Sequence, residues 1–146
     1  MTSTQNVRIP TDGAADGAVA ASSRRRSLAR TLGVVWSNGW GRLGESAFLA
    51  DFAGDLPHDE ARVLSAVQGP IADTLFAGRT THAAWRDKPS WYAVSTDDRT
   101  IDPDLERFMA KRMGATTIEL ASSHVSLLSH PAEVAALILD AAGRPA

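Results

Sequence analysis

The chain has 146 residues, of which 44% are apolar and 22% charged, with a formal net charge of −2 and no cysteine. That length gives room for one domain whose core buries roughly 68–70% of the surface the unfolded chain exposes. The charge balance argues against a polyanion-binding surface, and without cysteine the chain has no disulfides, thiolate zinc sites or cysteine nucleophiles.

Residues 1–27 are rich in Ser, Thr, Gly, Ala and Arg with few large apolar side chains, a composition that predicts a disordered tail. Within it, Arg24-Arg25-Arg26-Ser27-Leu28 faintly resembles a twin-arginine signal. The following apolar run, Leu32 to Trp36, is cut off by Ser37-Asn38-Gly39 before it reaches the length such a signal needs. No run approaches the roughly 18 apolar residues of a membrane span, so a cytoplasmic protein that engages no membrane is expected. Leu32-Gly33-Val34-Val35-Trp36 reads either as a short strand or as an apolar lead-in, with Asn38-Gly39 marking a turn. From Ala47 to about Ala77 the apolar spacing turns helical: Phe48, Leu49 and Phe52, then Val63, Leu64 and Val67, then Ile71, Leu75 and Phe76. Pro57 and Pro70 divide that stretch, which predicts three short helices within a lead-in and helical segment over 28–87.

The last segment, 88–146, carries the clearest signals. Ser90 to Ser95 is a β-rich run bounded by Pro89 and by Asp97-Asp98-Arg99. Asp102 reads as an N-cap and Pro103 as the first helical residue, with Leu105, Phe108, Met109 and Met113 on one face and Gly114 as the terminator. Thr116 to Leu120 is the next strand; Pro131 then opens a helix with Val134, Leu137, Ile138 and Ala141 inward and Gly143 beyond its end. The order strand, helix, strand, helix predicts an α/β fold with a short parallel sheet. So small a sheet leaves an edge exposed, which predicts self-association.

In such a sheet, residues just past the carboxyl ends of neighbouring strands converge on one crevice. Asp98 follows the first strand and His124 the second, flanked by the small Ser122 and Ser123. A carboxylate and an imidazole so placed could act as an acid–base pair, the carboxylate fixing the tautomer of the base. Each residue alone reads more simply as a turn or surface group, and Asp97 competes with Asp98 for the acidic role. Trp85, Trp91 and Tyr92 are not interleaved with basic residues, so they read as packing aromatics, and no nucleic acid is expected. His58, with Asp59 and Glu60, falls in a helical first turn that favours acidic residues without any metal. His82, His124 and His130 lack ligand spacing, so neither metal nor cofactor is expected.

Several stretches carry a resemblance to a known family. They are Phe48-Leu49-Ala50-Asp51-Phe52-Ala53-Gly54-Asp55-Leu56-Pro57, Gln68-Gly69-Pro70, Lys88-Pro89-Ser90-Trp91-Tyr92, the spacing Asp98-x-x-Ile101-x-Pro103, Arg107 to Ala115, Ser123-His124 and Ser129-His130-Pro131. Over 51–142 the chain resembles the C-terminal half of α/β-hydrolase-fold proteins, in the subgroup with a helical cap. The resemblance implies a partial α/β-hydrolase fold with ester- or acyl-type hydrolysis, Asp98 being similar to the family's catalytic acid and His124 to its base. Such hydrolases carry the nucleophile on a strand–turn–helix G-x-S-x-G elbow upstream of the acid. That pattern does not occur here. In Gly44-Glu45-Ser46-Ala47-Phe48 the second glycine is replaced and no strand is expected before Ser46, so Ser46 is not expected to be a nucleophile. The expectation is a truncated or split hydrolase supplying the acid and base of a Ser-Asp-His triad and acting on an ester substrate, with a complementary N-terminal half as partner. The alternative is a non-catalytic remnant binding a small apolar ligand or a protein.

Overall fold

The computed structural model describes residues 33–72, 74 and 80–144. The tail over 1–27, together with Leu75 and Phe76, lies outside the described residues. Val34–Ser37 (β1) and Trp40–Leu43 (β2) form an antiparallel hairpin, Val34 opposite Leu43 and Ser37 opposite Trp40. Asn38 and Gly39, with φ of 51° and 78°, make its two-residue turn. Two successive positive φ values match the right-handed twist of the strands, and Asn-Gly is the pair that adopts them at least cost. The open choice between strand and lead-in is thereby settled as strand.

After Gly44 the chain turns helical over Glu45–Ala47 and widens into a π-helical turn over Phe48–Phe52, closed by the Ala53 N–H donating to Phe48 O at 2.9 Å. Pro57 precedes helix α1, His58–Val67. Of the third helix expected from Ile71 through Phe76, Leu75 and Phe76 lie outside the described residues, and Ile71–Ala72 is a strand, β3, antiparallel to β2, with Gly41 opposite Ile71 and Trp40 opposite Ala72. Apolar spacing could not separate the two states, and the open edge of β2 decided between them. Gln68 extends that edge, since its amide accepts the Leu43 N–H at 3.0 Å and donates to Leu43 O at 2.9 Å, as a neighbouring strand would.

The C-terminal part is a parallel β–α–β unit. Trp91–Ser95 (β4) pairs with Thr116–Leu120 (β5), Trp91 opposite Thr116 and Ser95 opposite Leu120. Between them runs α2, Pro103–Met113, both of whose ends are chemically marked. The Asp102 carboxylate accepts the Asp104 N–H at 3.0 Å, and Gly114 terminates the helix at φ 60° while the Ala115 N–H reaches Ala110 O. Val94, Leu105, Ala110 and Leu120 are buried between strands and helix. Outside, the Arg107 guanidinium makes a two-pronged contact with Glu119 at 2.9 and 2.8 Å, tying α2 to β5.

A short helix, α3 (Ser126–Ser129), leads into α4, Pro131–Ala141, which packs on β4 and α3. The Trp91 indole donates to Asp140 at 2.6 Å. Val134 and Leu137 are half-buried as expected, but Ile138 is 62% exposed and Ala141 is also at the surface. A two-stranded sheet is too narrow to cover the full apolar face of α4. The two parts of the molecule meet in an apolar cluster of Phe48, Ala53, Ala61 and Val125, flanked by Leu43, Leu49, Phe52, Leu56 and Leu64. The fold class is α/β with a short parallel sheet, and no helix among the described residues is long and apolar enough to cross a membrane.

Candidate functional site

The β4–β5 ladder continues past the strand ends. Thr96 N–H donates to Leu120 O at 2.8 Å and Asp97 N–H to Ser122 O at 3.1 Å, so the two loops leave the sheet side by side. Backbone pairing therefore brings together Asp98 and His124, 26 positions apart in sequence. His124 Nδ1 lies 2.7 Å from Asp98 Oδ2. Asp98 is only 2% exposed, whereas Asp97 points to solvent.

The local sequence explains how the carboxylate is held. The Asp98 N–H donates to Ser95 O at 3.2 Å, turning the chain back on the strand end. Asp98 Oδ1 accepts the N–H groups of Thr100 at 2.6 Å and Ile101 at 2.9 Å, the short-range bonding to which aspartate in turns is suited. Oδ2 is left facing the imidazole. Burial works to raise the Asp98 pKa, but the hydrogen bond from His124, the two backbone donors and the charge of His124 hold it below the ordinary value of 3.8. An ionised carboxylate only accepts, so Nδ1 carries the hydrogen and Nε2 of the neutral ring carries the lone pair. Among the described residues no hydroxyl hydrogen-bonds to Nε2, and the His124 side chain is 28% exposed.

The segment Asp51 to Asp55 packs over both loops. The Phe52 ring lies 4.8 Å from that of His124, tilted by 44°, and limits rotation of the imidazole. The Thr100 hydroxyl donates to Asp51 O at 3.2 Å and Arg99 pairs with Asp51 at 2.9 Å. On the other loop, the Ser123 hydroxyl is shared between Phe52 O, at 3.0 Å, and the Asp55 carboxylate. Burial acts to raise the Asp55 pKa, but the hydroxyls of Ser123 and Ser129 hold it below 3.8. Val125, next after His124, is fixed in the apolar cluster described above.

A further buried carboxyl lies beneath the pair, where the apolar-face reading of α2 did not place one. Glu106 is 5% exposed; its Oε2 accepts the Ser95 N–H at 3.2 Å and its Oε1 is buried without a hydrogen-bond partner. Burial raises its pKa to about 7 against the hydrogen bond from Ser95, and the negative charge of Asp98 adds to the rise. The signal for it was spacing, because Asp102, Glu106, Met109 and Met113 share the face of α2 that carries the N-cap. Tyr92, on β4, is raised to about 12 by burial and by the charges of Glu106 and Asp98.

Ser46 is exposed on the helical turn after Gly44. A strand does precede it, contrary to expectation, but that strand is β2 of the antiparallel hairpin and not part of the sheet that carries Asp98 and His124. A cleft of about 640 Å³ nearby is lined by Arg42, Glu45, Asp59 and Arg62 together with the apolar Leu43 and Val63, and includes neither Asp98 nor His124. His58 is exposed at the start of α1, 3.9 Å from Asp59. Trp85 is half-buried, with the guanidinium groups of Arg86 and Arg112 each 5.3 Å from its ring centre.

Compared with known proteins, residues 6–137 match the sequence model of the alpha/beta hydrolase family. No curated protein and no solved structure matches the chain.

Proposed function

The chain belongs to the alpha/beta hydrolase family, and on that premise we propose that Asp98 and His124 are the acid and base of an ester- or acyl-hydrolysing triad. The observation that carries this reading is the 2.7 Å contact between a buried Asp98 and Nδ1 of a His124 whose Nε2 has no hydroxyl partner among the described residues. In this mechanism Nε2 takes the proton of a nucleophilic hydroxyl as its oxygen bonds to the substrate carbonyl carbon. The imidazolium, stabilised by Asp98, returns that proton to the leaving alcohol as the ester C–O bond breaks, and Nε2 then deprotonates a water that displaces the nucleophile from the acyl group, the proton returning to the nucleophile's oxygen. Asp98 stays ionised throughout and holds the ring in the tautomer the transfer needs.

The 146 residues contain no G-x-S-x-G elbow, so the nucleophile and the oxyanion-hole donors come from a complementary segment. The parallel sheet supports that part of the reading: among the described residues it has two strands, and both outer edges remain available to further strands.

The test is hydrolysis of an activated aryl ester. The chain alone is expected to react no faster than its His124→Ala variant and to show no acyl-enzyme burst. Combined with an N-terminal segment of an intact family member bearing the elbow, it should turn over, and Asp98→Asn should then lower kcat by about 10⁴-fold. A burst from the chain alone that disappears on changing one of its own serines would overturn the complementary-segment reading. Complemented turnover indifferent to both substitutions would overturn the assignment of acid and base.

A further inference from the structure

The loop carrying Asp98 and the helix carrying Glu106 meet at one residue. Ser95, the last residue of β4, gives its N–H to Glu106 Oε2 at 3.2 Å and takes the N–H of Asp98 on its carbonyl at 3.2 Å. Asp98 Oδ1 accepts from Thr100 and Ile101, and Oδ2 faces His124. Glu106 therefore lies buried behind a carboxylate that already faces the imidazole, with one of its own oxygens unpartnered. Two ionised carboxylates in one dry site repel, and the usual resolution is that one of them keeps a proton.

Three titratable groups from three elements face Glu106: Asp98 from the loop after β4, His124 from the loop after β5, and Tyr92 from β4 itself. Thr100, Ile101 and His124 donate to Asp98 and favour its ionised form, whereas Glu106 accepts the Ser95 N–H and holds its proton to higher pH. The charges of Glu106 and His124 are coupled, an imidazolium favouring the ionised Glu106. By reciprocity, an ionised Glu106 favours the imidazolium.

We infer that Glu106 is a positioning residue for the Asp98–His124 pair: as a neutral buried acid it leaves Asp98 the sole negative charge against the imidazole, and by ionising it biases that imidazole toward its protonated form. The inference rests on the proposed role of the pair, but its chemistry is a property of the folded chain and can be read without any substrate.

The experiment is a ¹³C NMR titration of the full chain from pH 5 to 9, following Glu106 Cδ and the His124 ring carbons. Glu106 should titrate with a midpoint of about 7, and the His124 signals should show an inflection at the same pH. Glu106→Gln keeps an acceptor for the Ser95 N–H, so the backbone spectrum should be retained while that inflection disappears. Asp98→Asn should lower the Glu106 midpoint by roughly one pH unit, because a like charge has been removed. Should Glu106→Gln fail to fold, the wild-type midpoint and its response to Asp98→Asn still decide the matter. A wild-type Glu106 midpoint below pH 5.5, or one that Asp98→Asn leaves unmoved, would overturn the inference, as would an inflection that survives in folded Glu106→Gln. An inactive complemented enzyme with this titration intact would count against the proposed function and not against Glu106.

Discussion

The hairpin and helical part (34–72) and the parallel unit (91–141) are held together by different chemistry. The first buries Phe48, Ala53 and Ala61, with Ser65 as its one buried polar residue among those described. The second buries Ser95, Asp98, Asp102, Glu106, Ser122 and Ser123 beside an apolar core that includes Val94 and Leu105. Apolar packing is indifferent to pH, whereas a site rich in buried carboxyls is not. Part of the parallel unit's stability has been exchanged for a charged constellation at its strand ends, and the other part supplies the compensating apolar contact through Phe48 and Phe52 against the His124 loop.

Substitutions in the two parts should therefore differ in size and in pH response. The largest effect is expected for Phe48→Ala, which empties the centre of the apolar cluster and should cost about 3–5 kcal/mol. Urea denaturation at pH 6 and at pH 8 should give the same loss at both; a loss that changes with pH would break the distinction.

Glu106→Gln should come next, with the opposite character. Below the unfolded value of 4.5, Glu106 is protonated in both states; between 4.5 and about 7 only the folded state holds the proton, and above about 7 the folded state must bury a charge. Stability is thus lost as pH rises through that window, by roughly 3 kcal/mol at 1.36 kcal/mol for each pH unit. Asp98 acts in the reverse sense, since its stabilisation is present above the ordinary 3.8 and fades as pH falls. In Glu106→Gln the decline from pH 5 to 8 should flatten, measured as the urea midpoint across that range, and an unchanged slope would sink the prediction.

The smallest effect is expected at the seam. Ser123→Ala removes the hydroxyl shared by Phe52 O and Asp55 and should cost about 1 kcal/mol, the net worth of an ordinary hydrogen bond. It should also let the Asp55 carboxyl titrate at higher pH than in the wild type, since Ser123 is the largest of the contributions that lower it. An Asp55 titration unmoved by the substitution would show that the two parts are not joined there.

The same division governed what could be read from sequence. Helix α2 matches its expected bounds, Pro103 to Met113, because Asp102, Pro103 and Gly114 mark its ends through bonds made within a few residues. Thr116–Leu120 matches as well, and Ser90 is lost from the first strand only by one position. The hairpin was visible as a turn, not as a sheet: Trp40-Gly41-Arg42-Leu43 has no strand pattern of its own, and Ile71 becomes a strand only through partners 30 residues away. The meeting of Asp98 and His124 was legible because parallel pairing dictates it once the strands are placed. Glu106 was not read as part of the site, since a glutamate on a helix is ordinarily solvated, and sharing a face with Asp102 and Met109 did not by itself show that the packing of α2 on β4 would bury it.

The contacts of Asp51 to Asp55 close a circuit. From Thr100 and Arg99 the connection runs to Asp51, through Phe52 and Asp55 to Ser123 and His124, and from His124 back to Asp98. A chain of contacts frays from its ends, but a ring has no end: one broken link leaves the others still tethering both loops, so parting the two loops takes more than one rupture. The entropy of each loop is thereby curtailed by the other, and the backbone that presents His124 to Asp98 is held by the whole ring of contacts.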